Sequence, residues 1–265
     1  TLSASAATGI DLDTTITTVT SATVSGTGAI NLSDTAGGLV VSNATTTDGT
    51  ITLNATGGTL TLTNVSAGGG GQDVVATTTT SGDIAVSAVA ATDNVSLTTA
   101  AGGAITDGNG ATTNITATSL TASAATGINL DTTITTVTGA TVSGIGAIDI
   151  SDTAGGLVVT NATTNNGTIT LNATGGTLTL TNVSAGGAGH DVVATTTTSG
   201  DIAVGAVSAA DHVSLTTAAG GALTAGNGAS TSVTAAPLAA PPPCPLCHTP
   251  QMSTTPLHTS LAPAS

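Results

Sequence analysis

The chain has 265 residues, no lysine or arginine, and 14 acidic residues that are all aspartate, which gives a net charge of -14. Because it has no basic side chain to neutralise phosphates, nucleic acids are excluded as partners and anionic membrane surfaces are disfavoured. Aromatic residues are also absent, and a core of valine, isoleucine, leucine and alanine suits a thin solenoid better than a compact sandwich.

Short predicted strands follow one another along the chain, and each alternates apolar with polar residues. A period of two is typical of half-buried strands, and no stretch has a helical pattern. Ile51, Leu53 and Ala55 are expected to face inward, followed by Leu60 and Leu62 in the next strand. In chain order, the clearest predicted strands lie within 8–13, 28–34, 37–43, 49–55, 58–64, 82–89, 93–99 and 103–108.

The chain repeats itself at an offset of 118 residues. Residues 49–69 return letter for letter at 167–187, and residues 73–86 return at 191–204. We therefore divide the chain into repeat copy 1 (1–119), repeat copy 2 (120–236) and a tail (237–265). Self-similarity of this kind marks a repeat architecture, in which each unit is stabilised by stacking on its neighbours.

A finer period lies inside each copy. Equivalent apolar residues recur 20 or 21 positions apart, as the pairs Ile10/Ile30, Ile30/Ile51, Leu39/Leu60 and Ile84/Ile105 show. Turns of about 20 residues predict a parallel β-helix, with a loop or bulge near 66–72, where the spacing stretches. Five or six turns per copy fit best, and about eleven turns at about 4.8 Å each would form a rod roughly 50 Å long. Two tandem immunoglobulin-like sandwiches are the alternative fold.

The tail differs sharply from the repeats. All 8 prolines lie at or after Pro237, together with both cysteines. Proline lacks the N–H that a strand ladder needs, so the tail is expected to be a disordered linker or an aberrant end of the repeat. Cys244, Cys247 and His248 match the CxxCH pattern of haem attachment, although zinc binding or a disulfide are alternatives.

The repeats resemble the β-strand repeat regions of large bacterial exoproteins, such as filamentous-haemagglutinin-like adhesins and autotransporter passengers. The segment from Gly102 to Ile128 is typical of the short strands, rich in threonine, glycine, alanine and asparagine, that carry this resemblance. The resemblance covers residues 1 to about 236. It implies a right-handed parallel β-helix, export across the outer membrane, and a role in adhesion or matrix building.

Two glycine-rich segments fit the nonapeptide of calcium-binding repeats. They are 68–76, which contains Asp73, and 186–194, which contains Asp191. Aspartate and loop carbonyls supply the hard oxygen ligands that calcium prefers. Each nonapeptide stands alone, however, so a structural turn is the competing interpretation, and no other resident cofactor is expected.

Paired carboxylates at Asp11 and Asp13 would face one side of an extended segment. Copy 2 has Asn129 at the first of these positions, and Asp107 is replaced by Ala225. Such exchanges favour solvated turn positions over a catalytic pair. His190 and His212, which replace Gln72 and Asn94, are interpreted as surface substitutions.

These observations favour a non-enzymatic stalk segment of a secreted or cell-surface adhesin on the exterior of a bacterial outer membrane. Its expected partner is a host-cell or neighbouring-cell surface or matrix. A self-assembling matrix or filament protein, joined end to end, is one alternative. An ice-binding solenoid with rows of threonine is the other. No run approaches the roughly 20 apolar residues of a membrane-spanning helix, so membrane insertion is not expected. Thr1 already lies inside the repeat pattern, so we expect a fragment or mature segment of a longer protein.

Overall fold

The protein is an all-β parallel solenoid of about 11 turns with a spacing of about 21 residues. The computed structural model describes residues 1–35, 37–110, 112–226 and 232–235. Its strands form two long sheets in which each strand pairs with its equivalent one turn away. The predicted parallel β-helix is therefore confirmed. The immunoglobulin-like alternative is wrong, because such sandwiches are built from antiparallel sheets.

The strands of copy 1 are mostly three to five residues long, and one reaches ten. They are β1 (Leu2–Ala6), β2 (Ile10–Thr14), β3 (Thr18–Thr27), β4 (Ile30–Asp34), β5 (Leu39–Val41), β6 (Ala44–Asp48), β7 (Ile51–Ala55), β8 (Leu60–Leu62), β9 (Val65–Ala67), β10 (Val74–Thr78), β11 (Ile84–Val86), β12 (Val89–Ala91), β13 (Asn94–Thr98), β14 (Ile105–Asp107) and β15 (Ile115–Thr116).

Copy 2 has the same order of strands, with some neighbouring short strands fused into one. They are β16 (Ser119–Ala124), β17 (Ile128–Thr133), β18 (Thr136–Ile145), β19 (Ile148–Asp152), β20 (Leu157–Val159), β21 (Ala162–Asn166), β22 (Ile169–Ala173), β23 (Leu178–Ala185), β24 (Val192–Thr196), β25 (Ile202–Ala209), β26 (Val213–Thr216), β27 (Leu223–Ala225) and β28 (Val233–Ala235). The predicted boundary between the copies falls inside β16, which pairs with β13 of copy 1. The tail predicted for 237–265 lies outside the described residues.

Rows of aliphatic side chains fill the interior. Ile10, Ile30 and Ile51 are register partners on successive turns, and Ile51, Leu53 and Ala55 are completely buried. All four equivalences predicted from the spacing are confirmed as paired positions. Like residues stack in a column only a few ångströms apart, so aliphatic side chains fill the narrow core without aromatic rings.

The predicted loop near 66–72 is also confirmed. It follows β9, and the next strand, β10, pairs Val74 with Ile51, a spacing of 23 residues. Gly69 and Gly71 have positive φ angles in this loop, a conformation that glycine adopts at little cost. The extra residues are therefore accommodated outside the strands, and the register of the core is retained.

Threonine and glycine together build a recurring corner. The hydroxyl of Thr78 donates to the carbonyl of Gly82 at 2.9 Å and accepts the backbone N–H of Ala100, on the next turn, at 3.2 Å. Thr196 repeats both contacts with Gly200 and Ala218. Each hydroxyl thus satisfies a backbone acceptor in its own turn and a donor in the following turn, as buried polar groups require.

The two copies are related by half a turn about the solenoid axis. In each copy the chain passes alternately along a wide side and a narrow side of the solenoid. In copy 1 the wide side is made of β1, β3, β5–β6, β8–β9, β11–β12 and β14–β15, and the narrow side is made of β2, β4, β7, β10 and β13. At the junction, β14 and β15 of the wide side pair with β17, which belongs to the narrow side of copy 2. Conversely, β13 pairs with β16 of the wide side. Each 118-residue copy therefore makes about five and a half turns, which lies between the five and six predicted from the sequence.

Candidate functional site

Asp73 and Asp191, the two calcium candidates, occupy equivalent positions before β10 and β24. A carboxylate oxygen of Asp73 accepts the backbone N–H of Asn94 at 3.0 Å, and Asp191 accepts that of His212 at the same distance. In both cases the donor lies one turn further along the solenoid. Each aspartate thus links neighbouring turns, and calcium binding at these residues stays a prediction.

The glycine-rich loops are closed by a side-chain contact that differs between the copies. In copy 1, the Gln72 amide donates to the Asp48 carboxylate at 3.1 Å. In copy 2, Nε2 of His190 lies 2.7 Å from Oδ1 of Asn166. Both members of the pair change together, so His190 has a structural partner on the preceding turn, at the end of β21.

His212 lies between two carboxylates. Its Nδ1 is 3.0 Å from Oδ1 of Asp211 and 3.6 Å from Oδ1 of Asp191. The three ligand atoms all lie within 4.8 Å of one another, and no other such group of three is found in the described ranges 1–35, 37–110, 112–226 and 232–235. His212 is exposed and both aspartates are half-buried. We call this set the 191/211/212 cluster.

Only one member of this cluster was predicted from the sequence as a ligand. Asp191 was singled out by the nonapeptide, whereas His212 was interpreted as a surface substitution. The signal that could have revealed it is the solenoid period, because His212 follows Asp191 by 21 residues and Val192 pairs with Val213. Residues one turn apart are neighbours in space, although the sequence separates them widely.

The pair Asp11 and Asp13 lies on β2, with both side chains exposed. The sequence placed them on an extended segment, as observed, and interpreted them as solvated turn positions; they are solvated but lie on a strand. Their Cα register partners on the next turn are Asn31 and Ser33. In copy 2 the residue equivalent to Asp11 is the exposed Asn129, whereas the one equivalent to Asp13 is again aspartate, Asp131.

A second group of aspartates lies where the copies join. The pKa of Asp131 is raised by partial burial and by the nearby carboxylates of Asp107 and Asp149. Burial also acts on Asp107, but hydrogen bonds from the backbone of Asn109, from Asn114 and from Gly110 outweigh it and lower its pKa. Asn114, which is almost fully buried, links the two copies, because its amide donates to Asp107 at 2.9 Å and its amide oxygen accepts the backbone N–H of Asp131 at 2.8 Å. Since like charges gather without a basic partner, this junction is a site of repulsion at neutral pH.

Two aspartates are fully buried at equivalent positions, Asp34 and Asp152. Asp152 accepts the Thr132 hydroxyl at 2.8 Å and the backbone N–H groups of Ile134 and Ala154 at 2.9 Å. Burial raises the pKa of Asp152, and these three hydrogen bonds oppose the rise. Its position inside a strand corner gives it a structural role.

Acidification is expected to stabilise the solenoid. The raised pKa values of Asp131 and Asp152 mean that the folded state binds their protons more tightly than the unfolded state. Stability is therefore gained as pH falls through these raised values and is complete below about 3.9, the ordinary aspartate value. Asp107, whose pKa is lowered, opposes the gain. The melting temperature, measured by circular dichroism, should be higher near pH 4.5 than at pH 7.

The Asp152→Asn variant is the control for this pH dependence, because it removes one raised group and keeps an acceptor. Its melting temperature should rise less on acidification than that of the unchanged chain. A melting temperature that falls steadily from pH 7 to pH 4.5 would contradict the assignment of raised pKa values.

Comparison with known proteins gives no relative. Searches against protein families, curated proteins and solved structures find no match. The fold and the geometry of the chain are therefore the basis for any functional conclusion. Within the part of the chain that the structure describes, there is no helix long and apolar enough to cross a membrane. Cys244, Cys247 and His248 lie outside the described residues, and haem or zinc binding there stays a prediction.

Proposed function

We propose that the chain is a non-enzymatic structural rod, serving as a stalk segment of a secreted or cell-surface adhesin. The observation that carries the proposal is the junction at β16 and β17, where one copy continues into the next without a break in either sheet. A solenoid of this kind grows in length with each copy. Adding copies therefore extends the reach of whatever the rod presents.

The roles of the aspartates support this proposal. Asp83 accepts the backbone N–H of Ala104 at 2.8 Å, and Asp201 accepts that of Ala222 at the same distance. In each case the bond links a turn to the next, as it does for Asp73 and Asp191. Carboxylates that could act as acids or bases are thus engaged in holding turns together.

The ice-binding alternative requires a regular array of threonine, and the narrow side of copy 1 does not supply one. On the narrow side of copy 1, the outward column runs through Asp11, Asn31, Thr52, Val75 and Ser96. Five different residue types in five consecutive turns do not form a repeating threonine row. A rod that supplies length is compatible with such a mixed surface, because length depends on the interior columns.

A series of proteins with one, two and three copies tests the proposal. Each copy should add about 26 Å to the long axis, since about 5.5 turns are each about 4.8 Å high, while the cross-section stays constant. Small-angle scattering at several concentrations would measure both dimensions. Growth in cross-section instead of length would contradict a rod, and lengths that rise with concentration would favour the end-to-end assembly alternative.

The adhesin assignment needs a second measurement. The same series can be displayed on a non-adherent bacterium, with a binding module of known target fused to the distal end. Adhesion to target cells should increase with copy number while the affinity of the isolated module stays constant. Equal adhesion for all three lengths would contradict a function in extending reach.

A further inference from the structure

The 191/211/212 cluster combines an imidazole nitrogen with two carboxylates at the surface of copy 2. Atoms bound to one small divalent ion at about 2.1 Å lie roughly 3.0 to 3.5 Å from each other, for octahedral or tetrahedral geometry. The observed separations from His212 Nδ1, 3.0 Å to Asp211 and 3.6 Å to Asp191, are close to this range. We propose that Asp191, Asp211 and His212 bind a zinc-like divalent transition-metal ion.

Backbone pairing and hydrogen bonds hold all three ligand residues in place before an ion arrives. Asp191 and His212 lie just before strands β24 and β26, which pair Val192 with Val213. The Asp191 carboxylate also accepts the His212 backbone N–H at 3.0 Å, which fixes its orientation. Asp211 is held by its own N–H, which donates to the His190 carbonyl at 3.0 Å. The ligands therefore need little rearrangement, and water can complete the coordination on the exposed side.

The donor set favours zinc-like ions over calcium. Calcium takes six to eight oxygen ligands, whereas imidazole nitrogen suits zinc, copper, nickel and cobalt. The Nε2 of His190 lies 2.7 Å from Oδ1 of Asn166, at the end of β21, so the ring of His190 is engaged by the preceding turn. The ion would bridge two successive turns, from Asp191 to the neighbouring pair Asp211 and His212, and should stabilise their stacking.

Copy 1 contains the same site with its nitrogen ligand removed. Asp73, Asp93 and Asn94 stand at the equivalent positions, and Asp73 accepts the Asn94 backbone N–H just as Asp191 accepts that of His212. The Asn94 amide oxygen accepts the Ser119 hydroxyl at 3.1 Å. An amide nitrogen is not a metal ligand, so copy 1 serves as a natural control within the same chain.

The experiment titrates zinc into the full chain and into His212→Asn, which gives copy 2 the residue of copy 1. Isothermal titration calorimetry should show one site fewer in the variant. The cysteines and histidines of the tail are present in both proteins, so the difference between them reports only this cluster. Zinc at about 100 times Kd should also raise the melting temperature of the full chain by on the order of 5 °C more than that of the variant.

Two matched variants sharpen the result. His190→Gln, which restores the residue found at Gln72 in copy 1, should leave zinc stoichiometry unchanged. Asn94→His should create a second site of the same kind. Equal zinc binding by the full chain and His212→Asn would overturn the proposal, as would a loss in His190→Gln as large as in His212→Asn. Calcium that binds this site as tightly as zinc would also overturn it.

Discussion

Gly176→Ala is expected to destabilise the solenoid by about 3 to 5 kcal/mol. Gly176 has a φ of +71°, and an added Cβ would come within 1.5 Å of the Gly155 carbonyl oxygen on the preceding turn. Positive φ alone costs alanine about 1 to 2 kcal/mol, and the overlap must also push two turns apart. Gly58→Ala should behave alike, since its Cβ would meet the Gly37 oxygen at 1.4 Å.

Gly70→Ala is the matched control for this effect. Gly70 has nothing within 4 Å of the added Cβ and no positive φ. Copy 2 already has Ala188 at that position. Thermal unfolding followed by circular dichroism suits a chain without aromatic residues, and hydrogen exchange would locate the damage. A Gly176→Ala melting temperature equal to that of Gly70→Ala would show that the corner relaxes freely.

Asp152→Ala is expected to cost about 3 kcal/mol of folding free energy at neutral pH. The substitution removes the acceptor of the buried Thr132 hydroxyl and of the Ile134 backbone N–H. The Ile134 N–H is then left without a partner, and the Thr132 hydroxyl keeps only its longer bond of 3.4 Å to the Ser151 carbonyl. Each lost bond to a buried donor costs about 1 to 3 kcal/mol. Ala154, the third donor, is exposed, so water can replace that bond.

Asp152→Asn separates hydrogen bonding from charge. Its amide oxygen can still accept from Thr132 and Ile134, and it avoids burying a negative charge. Its loss of stability should therefore be about 1 kcal/mol or less. Asp11→Ala, at an exposed position of β2, should be close to neutral. Chemical unfolding would measure the free energy of unfolding of all three variants. If Asp152→Asn were as unstable as Asp152→Ala, the carboxylate charge, and not the hydrogen bonds alone, would be the stabilising feature.

The solenoid itself could be predicted because its pattern is local. Period-two alternation placed Ile51, Leu53 and Ala55 inward, and a spacing of 20 or 21 residues placed Ile10 over Ile30. Both depend only on the fact that strands alternate their faces and stack in register. The stretched spacing near 66–72 likewise predicted the loop, since extra residues cannot enter a stacked strand without shifting it.

The half-turn relation could not be predicted because both sides of the rod use the same alternation. The segments around Ile51 and Leu60 have nearly the same sequence pattern, although one lies on the narrow side and the other on the wide side. Nothing local distinguishes these sides. The 191/211/212 cluster could not be predicted for a related reason. Its residues can be recognised as neighbours only if the length of that turn is known to within one residue.

The half-turn relation has a mechanical consequence for any longer array of such copies. A wide side and a narrow side are unequal, so a single copy can favour bending toward one of them. The following copy presents the same inequality rotated by half a revolution, and its bend points the opposite way. Successive deviations cancel, and a rod built from many copies keeps a straight mean axis.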